Sequence, residues 1–330
     1  MARINLIAWD NNRGLSHDIR LLTEALRNLG HEVSFTAVGP PRQRRWWKSL
    51  TQHLRLFAQR LQGSREFRYD LSITLEHVCP DHLGLARRNA FIPNPEWFSK
   101  RDRRHLGKFD AVFTKTQAAT ALFDRLGAPA IHIGFQSTDC YQPGVARQPT
   151  FLHLAGASRM KGTERLLAAW RRHPEWPMLH VLQAPGAADD SNSTTSNIEH
   201  RREYVADIAE IRALQNTHVF QLCLSETEGW GHYIAEALSC AAVVLTCDAP
   251  PMNELVTAER GITVAASAGE PLNLATRYLF DAPALEQAVE RCISMQRSEW
   301  EHRGRLARAW YLQNQHGFES RLDAALQKVL

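Results

Sequence analysis

Nothing in the cysteine pattern points to a metal centre or a disulfide framework. Cys79, Cys140, Cys223, Cys240, Cys247 and Cys292 are scattered, no two form a Cys-x-x-Cys pair, and none falls at zinc-ligand spacing. Such thiols in a chain of 330 residues read as reduced and mostly buried. The apolar run near the N-terminus is too short for a signal peptide and no small-residue cleavage site follows it, so a cytoplasmic location is expected. No stretch approaches the ~20 apolar residues that span a bilayer. The Gly-x-Gly-x-x-Gly fingerprint of dinucleotide enzymes is missing too. Asn11-Asn12-Arg13-Gly14 stands in its place after the first strand-like run, which argues against a nicotinamide-dependent enzyme. The net charge of +4 is too small to imply nucleic acid by itself.

What is present is apolar material, 44% of the residues, enough for two sizeable cores. Ile4 to Trp9 reads as a buried strand, Ser16 as the N-cap of a helix to about Asn28, and Val33 to Val38 as a second strand. Strand, helix, strand favours a parallel sheet with crossover helices. Further strand-like runs fall at Leu71–Leu75, Ala90–Ile92, Ala111–Thr114 and Ala130–Ile133. Gln142 to Pro149, with two prolines and a glycine, reads as an interdomain linker. The alternation then restarts. Phe151–Ala155 and Met178–Gln183 read as strands around a helix from about Thr163 to Arg172. A helix at about 201–214 and strands His218–Leu224 and Ala242–Thr246 follow, and helices finish the chain. The expected fold is α/β, with a first domain over 1–142 and a second over 150–311. A last helix is expected at about 312–330.

The richest segment runs from Ser225 to Leu238, after a strand and into a helix. Ligands of open α/β sheets bind at the carboxyl ends of strands. Gly229 and Gly231 permit tight turns and close backbone approach, and the amides of the following helix start favour an anion such as a diphosphate. Glu228 on the loop and Glu236 two turns later can both accept hydrogen bonds from one molecule's hydroxyls. The bland alternative is a pair of helix-surface carboxylates.

This segment resembles the Glu-x7-Glu signature of retaining glycosyltransferases of the GT-B fold, the group 1 (family 4-like) type related to glycogen synthase. Ser239 to Thr246 and Asn253-Glu254-Leu255-Val256 continue the pattern, with Ala241 where that family usually has glycine. Gly156 to Gly162 is similar to the family's Gly-Arg…Lys-Gly phosphate loop. It is shortened here, with Ala157 at the usual arginine position and Arg159 nearby. Ser137-Thr138-Asp139 and Pro143 resemble the segment that ends the family's N-terminal domain. The resemblance covers about residues 130–256; before that it is one of architecture.

The resemblance implies two Rossmann-like domains facing a central cleft, a C-terminal helix at about 312–330 that packs back on the first, and a sugar-nucleotide donor held mainly by the second. It implies that Arg159 and Lys161 neutralise the diphosphate, that Glu228 holds sugar hydroxyls, and that Glu236 holds the ribose. Gly229, Gly231, His232 and Tyr233 line the donor, and Gly14 approaches the diphosphate from the first domain. His77 would stand near the sugar, and Asn94 and Glu96 near the acceptor. A lone histidine is more often structural, which is the commoner reading of His77, and a proline-framed turn explains Asn94 and Glu96 better than an acceptor role; an ordinary turn glycine at 14 is equally open. No metal or other cofactor is implied, because protein cations replace it. Asp189-Asp190, amid serine and threonine, reads as a solvated loop. The implied activity is transfer of a hexose-type sugar, with retention, to a glycan, glycolipid or lipid-linked acceptor. A nucleotide-sugar epimerase and a non-catalytic sugar-nucleotide-binding protein remain as alternatives.

Residues 40–68 stand apart, with eight arginines and lysines against Glu66 alone. Trp47, Leu50, Leu54, Phe57 and Leu61 recur at helical spacing. The segment 44–61 reads either as an amphipathic helix on an anionic membrane surface or as a packed helix with solvated arginines. It carries no nucleic-acid recognition motif, so no nucleic-acid partner is expected.

Overall fold

A computed structural model describes residues 1–10, 14–39, 67–186, 195–203 and 205–330. The basic segment at 44–61 and Asp189-Asp190 lie outside the described residues. The chain divides into two compact units, Met1–Gln136 with Gln315–Leu330, and Ser137–Asn314.

The first unit is a six-stranded sheet in the order β2-β1-β3-β4-β5-β6. Its strands are β1 Arg3–Ala8, β2 Glu32–Ala37, β3 Tyr69–Leu75, β4 Ala86–Ile92, β5 Ala111–Thr114 and β6 Ala130–His132. All pairings are parallel. Five of the six β1 residues are buried, as befits a strand covered on both faces. Helix α1, Gly14–Asn28, buries Leu15, Ile19, Leu22 and Leu26, the stripe that helical periodicity demands. Short α2, Lys100–Arg103, is closed by a capping box between Ser99 and Asp102. Helix α3, Gln117–Arg125, is capped by Thr116. Phe318, in the chain's last segment, packs on Phe135 at 5.2 Å between ring centroids, and Leu322 and Leu326 are buried.

The second unit repeats the plan in the order β12-β11-β10-β7-β8-β9, again parallel throughout. Its strands are β7 Gln148–Gly156, β8 Leu179–Gln183, β9 Ile198–Arg201, β10 His218–Cys223, β11 Val243–Cys247 and β12 Gly261–Val264. Every residue of β10 and β11 is buried. An antiparallel hairpin follows, β13 Ala266–Leu272 and β14 Ala275–Phe280. The helices are α4 Thr163–Arg172, α5 Ile208–Thr217, α6 His232–Ser239, α7 Met252–Leu255, α8 Ala282–Ser294 and the part up to Asn314 of α9 Arg297–Gln327, whose remainder belongs to the first unit. No helix among the described residues is long and apolar enough to cross a membrane.

Several local readings are corrected. Helix α1 starts at Gly14, and the Ser16 hydroxyl donates to Asp10 rather than capping. Strand β7 begins at Gln148, inside the segment read as a linker. The helix read at about 201–214 starts at Ile208, capped by Asp207, because Ile198–Arg201 pairs with β8. The C-terminal part is not all helical, since β12 and the hairpin precede α8.

The strand order fixes where a ligand fits. In the second unit the chain runs outward from β7 to β9, then returns to β10 on the other side of β7. The loops after β7 and β10 therefore diverge at a topological switch point, where open α/β sheets bind ligands. In the first unit the switch lies between β1 and β3, near the start of α1 at Gly14 and the loop that holds His77.

Candidate functional site

The loop after β7 carries Lys161, and the loop after β10 carries Glu228. The Glu226 amide donates to the Met160 carbonyl at 2.9 Å, which stitches the two loops together. Gly162 has φ +68, and a Cβ there would lie 2.7 Å from the Leu224 carbonyl oxygen. That close approach lets the Lys161 loop lie on the end of β10. Gly231 has φ +99 and turns the second loop into α6.

The side chains converge. Lys161 Nζ lies 2.5 Å from Glu228 Oε1, and both side chains are mostly buried. The same ammonium stands 3.5 Å from the Tyr233 ring centroid, a cation–π contact. Ser225 Oγ donates to Glu228 Oε1 at 2.5 Å and also meets the Tyr233 hydroxyl at 2.5 Å. Burial pushes the Tyr233 phenol well up, so it remains a neutral hydrogen-bonding group at ordinary pH. The Trp230 indole donates to Ser137 Oγ at 3.0 Å, and His232 Nδ1 lies 2.9 Å from the same oxygen. The Tyr311 hydroxyl donates to the Ser137 carbonyl at 2.8 Å. Glu236, half-buried, shares a face of α6 with His232 one turn earlier.

Beside this group, the Arg277 guanidinium of β14 binds Glu226 Oε2 through Nε at 2.8 Å and through Nη2. The Tyr278 amide donates to the Glu226 carbonyl at 2.7 Å.

The first unit has its own polar cluster at the carboxyl ends of β3, β4 and β5. Lys115 Nζ pairs with Asp18 Oδ2 at 2.5 Å, both side chains nearly inaccessible, and donates to Asn94 Oδ1 at 3.0 Å. Asn94 Nδ2 reaches Glu76 Oε2 at 3.5 Å. His77 stands between carboxylates, with Nε2 3.6 Å from Glu76 and Nδ1 3.6 Å from Asp102. Glu76 has φ +63, a conformation that side chains seldom adopt and that turns the chain sharply at the end of β3. Burial raises the Glu76 carboxyl against the pull of His77 and Lys115. Burial also opposes ionisation of Asp102, but bonds from His77, Ser99 and the Val78 amide outweigh it and hold that carboxyl at about 2.

No protein-family model matches the chain, and no curated protein matches it by sequence. The fold has many counterparts among solved structures. A sucrose-phosphate synthase from Thermosynechococcus elongatus superposes with a TM-score of 0.70 at 15% identity, covering 99% of each chain. A trehalose-6-phosphate synthase, studied for glycosyl transfer with retention, gives 0.67 at 12% identity over 99% of each. The catalytic domain of starch synthase IV from Arabidopsis thaliana, bound to ADP and acarbose, gives 0.63 at 10% identity over 97% of this chain and 99% of that one. This is the GT-B fold.

Across the two GT-B units the residues singled out from the sequence fall as follows. Lys161, Glu228 and Tyr233 form one hydrogen-bonded and cation–π group. Gly229, Gly231, His232 and Glu236 frame the same loop and helix start. Arg159 is not in that group; it is exposed and donates to the Gly186 carbonyl at 3.2 Å. His77 and Asn94 belong to the first unit's cluster through Glu76, and Glu96 is buried nearby in sequence. Gly14 opens α1 with open space where a Cβ would stand. Sequence reasoning missed Glu76, Lys115 and Asp18, although a lysine ending the apolar run Ala111–Thr114 is a visible anomaly. It also missed Arg277, which no motif marks, and the bridging role of Ser225.

Proposed function

We propose that this chain is a retaining glycosyltransferase that uses a nucleoside-diphosphate sugar. The observation that carries the reading is the Lys161–Glu228–Ser225–Tyr233 group at the β7/β10 switch point, next to the start of α6. A cation and a carboxylate already aligned there suit a ligand whose anionic group is bonded directly to a hydroxylated one. In this reading the diphosphate takes Lys161 from Glu228 and draws Arg159 from Gly186. Glu228 then accepts from the sugar hydroxyls and Glu236 from the ribose. Lys161 and Arg159 stabilise the charge that develops on the departing diphosphate, so no metal is required.

Support comes from the fold's counterparts, a sucrose-phosphate, a trehalose-6-phosphate and a starch synthase, one of them studied for transfer with retention and one bound to ADP. The acceptor side of the proposal is His77, Asn94 and Glu96, with a glycan or lipid-linked acceptor. Segment 44–61 would meet an anionic membrane surface in the cytoplasm. The six cysteines, all buried and none in a disulfide, suit a reducing compartment.

Incubation with UDP-, GDP-, ADP- and dTDP-sugars tests the reading by release of nucleotide. At least one should be turned over, and Glu228→Gln should slow it by about 100-fold or more. Failure to bind or cleave any of them would sink the proposal.

A further inference from the structure

The hairpin β13–β14 projects from the sheet immediately after β12, and it touches both loops of the donor site. Its Arg277 donates from Nε and Nη2 to one oxygen of the Glu226 carboxylate, Oε2, a charge-assisted pair that fixes the guanidinium against that oxygen. Its Tyr278 amide holds the Glu226 carbonyl at 2.7 Å, while the Glu226 amide holds Met160 in the Lys161 loop at 2.9 Å. Glu226 is thus bound through amide, carbonyl and side chain, two residues before Glu228. At the root of the hairpin, the Phe280 ring lies 3.1 Å from where a Cβ on Gly162 would stand, directly after Lys161. The Glu226 side chain is 10% exposed and that of Arg277 39%, so the carboxylate is the buried partner and the guanidinium stays partly open to solvent screening.

We infer that the β13–β14 hairpin is a clamp that holds the Lys161 loop and the Glu228 loop in mutual register, with Arg277 its positioning residue. Arg277 acts through Glu226 and does not touch the reacting atoms. A misplacement of about 1 Å between Lys161 and Glu228 is enough to cost about 100-fold in rate when both must engage one donor. The inference rests on the donor-site reading above for its effect on catalysis, and on the contacts alone for its effect on the loops.

Two variants test it. Arg277→Met removes the fork and keeps the aliphatic stem; Glu226→Gln keeps every backbone bond and removes the charge. Amide hydrogen exchange reads the clamp without any substrate. Exchange over 156–162 and 225–231 should speed up in both variants, while β1 to β6 stay as in wild type. With whichever sugar nucleotide the wild type turns over, kcat should fall by roughly tenfold or more with a smaller change in KM, and Arg277→Lys should recover part of it. The double variant should be no slower than the worse single one, since both break the same pair. Unchanged exchange in both loops overturns the inference even if the wild type transfers no sugar. An active wild type whose variants keep kcat overturns it while leaving the donor-site reading intact.

Discussion

Ala241 adopts φ +55 directly after α6, the left-handed cap that helices usually close with glycine. The chain thus keeps a glycine turn with an alanine in it. Strain there is roughly 1–2 kcal/mol, and glycine's extra freedom in the unfolded chain offsets roughly 0.4–1 of that. Ala241→Gly should therefore stabilise the protein by about 0.5–1 kcal/mol, seen as a higher urea midpoint with an unchanged slope; a lower midpoint would contradict it. Two buried histidines make stability depend on pH. His153 bonds the Leu222 carbonyl at 2.7 Å and the Thr163 hydroxyl at 2.9 Å. Burial lowers its imidazole from 6.5 to about 4. Burial, and then His180, lowers His218 to about 4 as well. Between these values and 6.5 the unfolded chain binds more protons than the folded one, so stability is full above about pH 6.5 and falls as pH drops toward 4. Denaturant titrations at pH 7 and pH 4.5 should show the loss, and His153→Gln should flatten it; equal stability at the two pH values would contradict the assignment. Glu228 and Lys161 were legible because their chemistry comes with a local pattern, glycines after a strand and before a helix. Ser225 and Arg277 were not. A serine hydroxyl and a half-buried strand arginine gain meaning only from partners 3 and 51 residues away.

At the scale of elements, Gly162 is the pivot. Alanine there meets both an unfavourable φ of +68 and the Leu224 carbonyl at 2.7 Å. Gly162→Ala should destabilise the protein by about 1–3 kcal/mol, and should impair donor binding as the Lys161 loop lifts off β10. Paired urea and nucleotide titrations would check both, and an unaffected stability would remove the close-approach argument. The buried strands and amphipathic helices were readable because a strand covered on both faces and a helix covered on one leave different apolar periods. The hairpin was not, because β13 carries Gly269 and Pro271 and is exposed at five of seven positions. Its fold is set by pairing with β14 and by the turn at Asn273, φ +55, rather than by hydrophobic alternation. Strand β9 escaped for a similar reason. Only Ile198 in it is apolar, and pairing with β8 defines it.

For the molecule as a whole, the two-unit α/β plan follows from alternating strands and helices that restart near residue 150. The assignment of Gln315–Leu330 to the first unit depends on long-range packing such as Phe318 on Phe135. Each unit reverses its strand order once; the second sets its polar group at that reversal, while the first spreads its cluster along the carboxyl ends of β3, β4 and β5. The central claim concerns the second unit, where Lys161 is proposed to hold the diphosphate of one donor while Glu228 holds the sugar on one side of it and Glu236 the ribose on the other. Calorimetric titration of wild type and Lys161→Met with UDP, GDP, ADP and dTDP tests it most directly. At least one diphosphate should bind the wild type, and Lys161→Met should weaken that binding by about 10- to 100-fold, the worth of one charge-assisted hydrogen bond. Equal affinity in the two proteins, or no binding of any diphosphate to the wild type, would contradict the account.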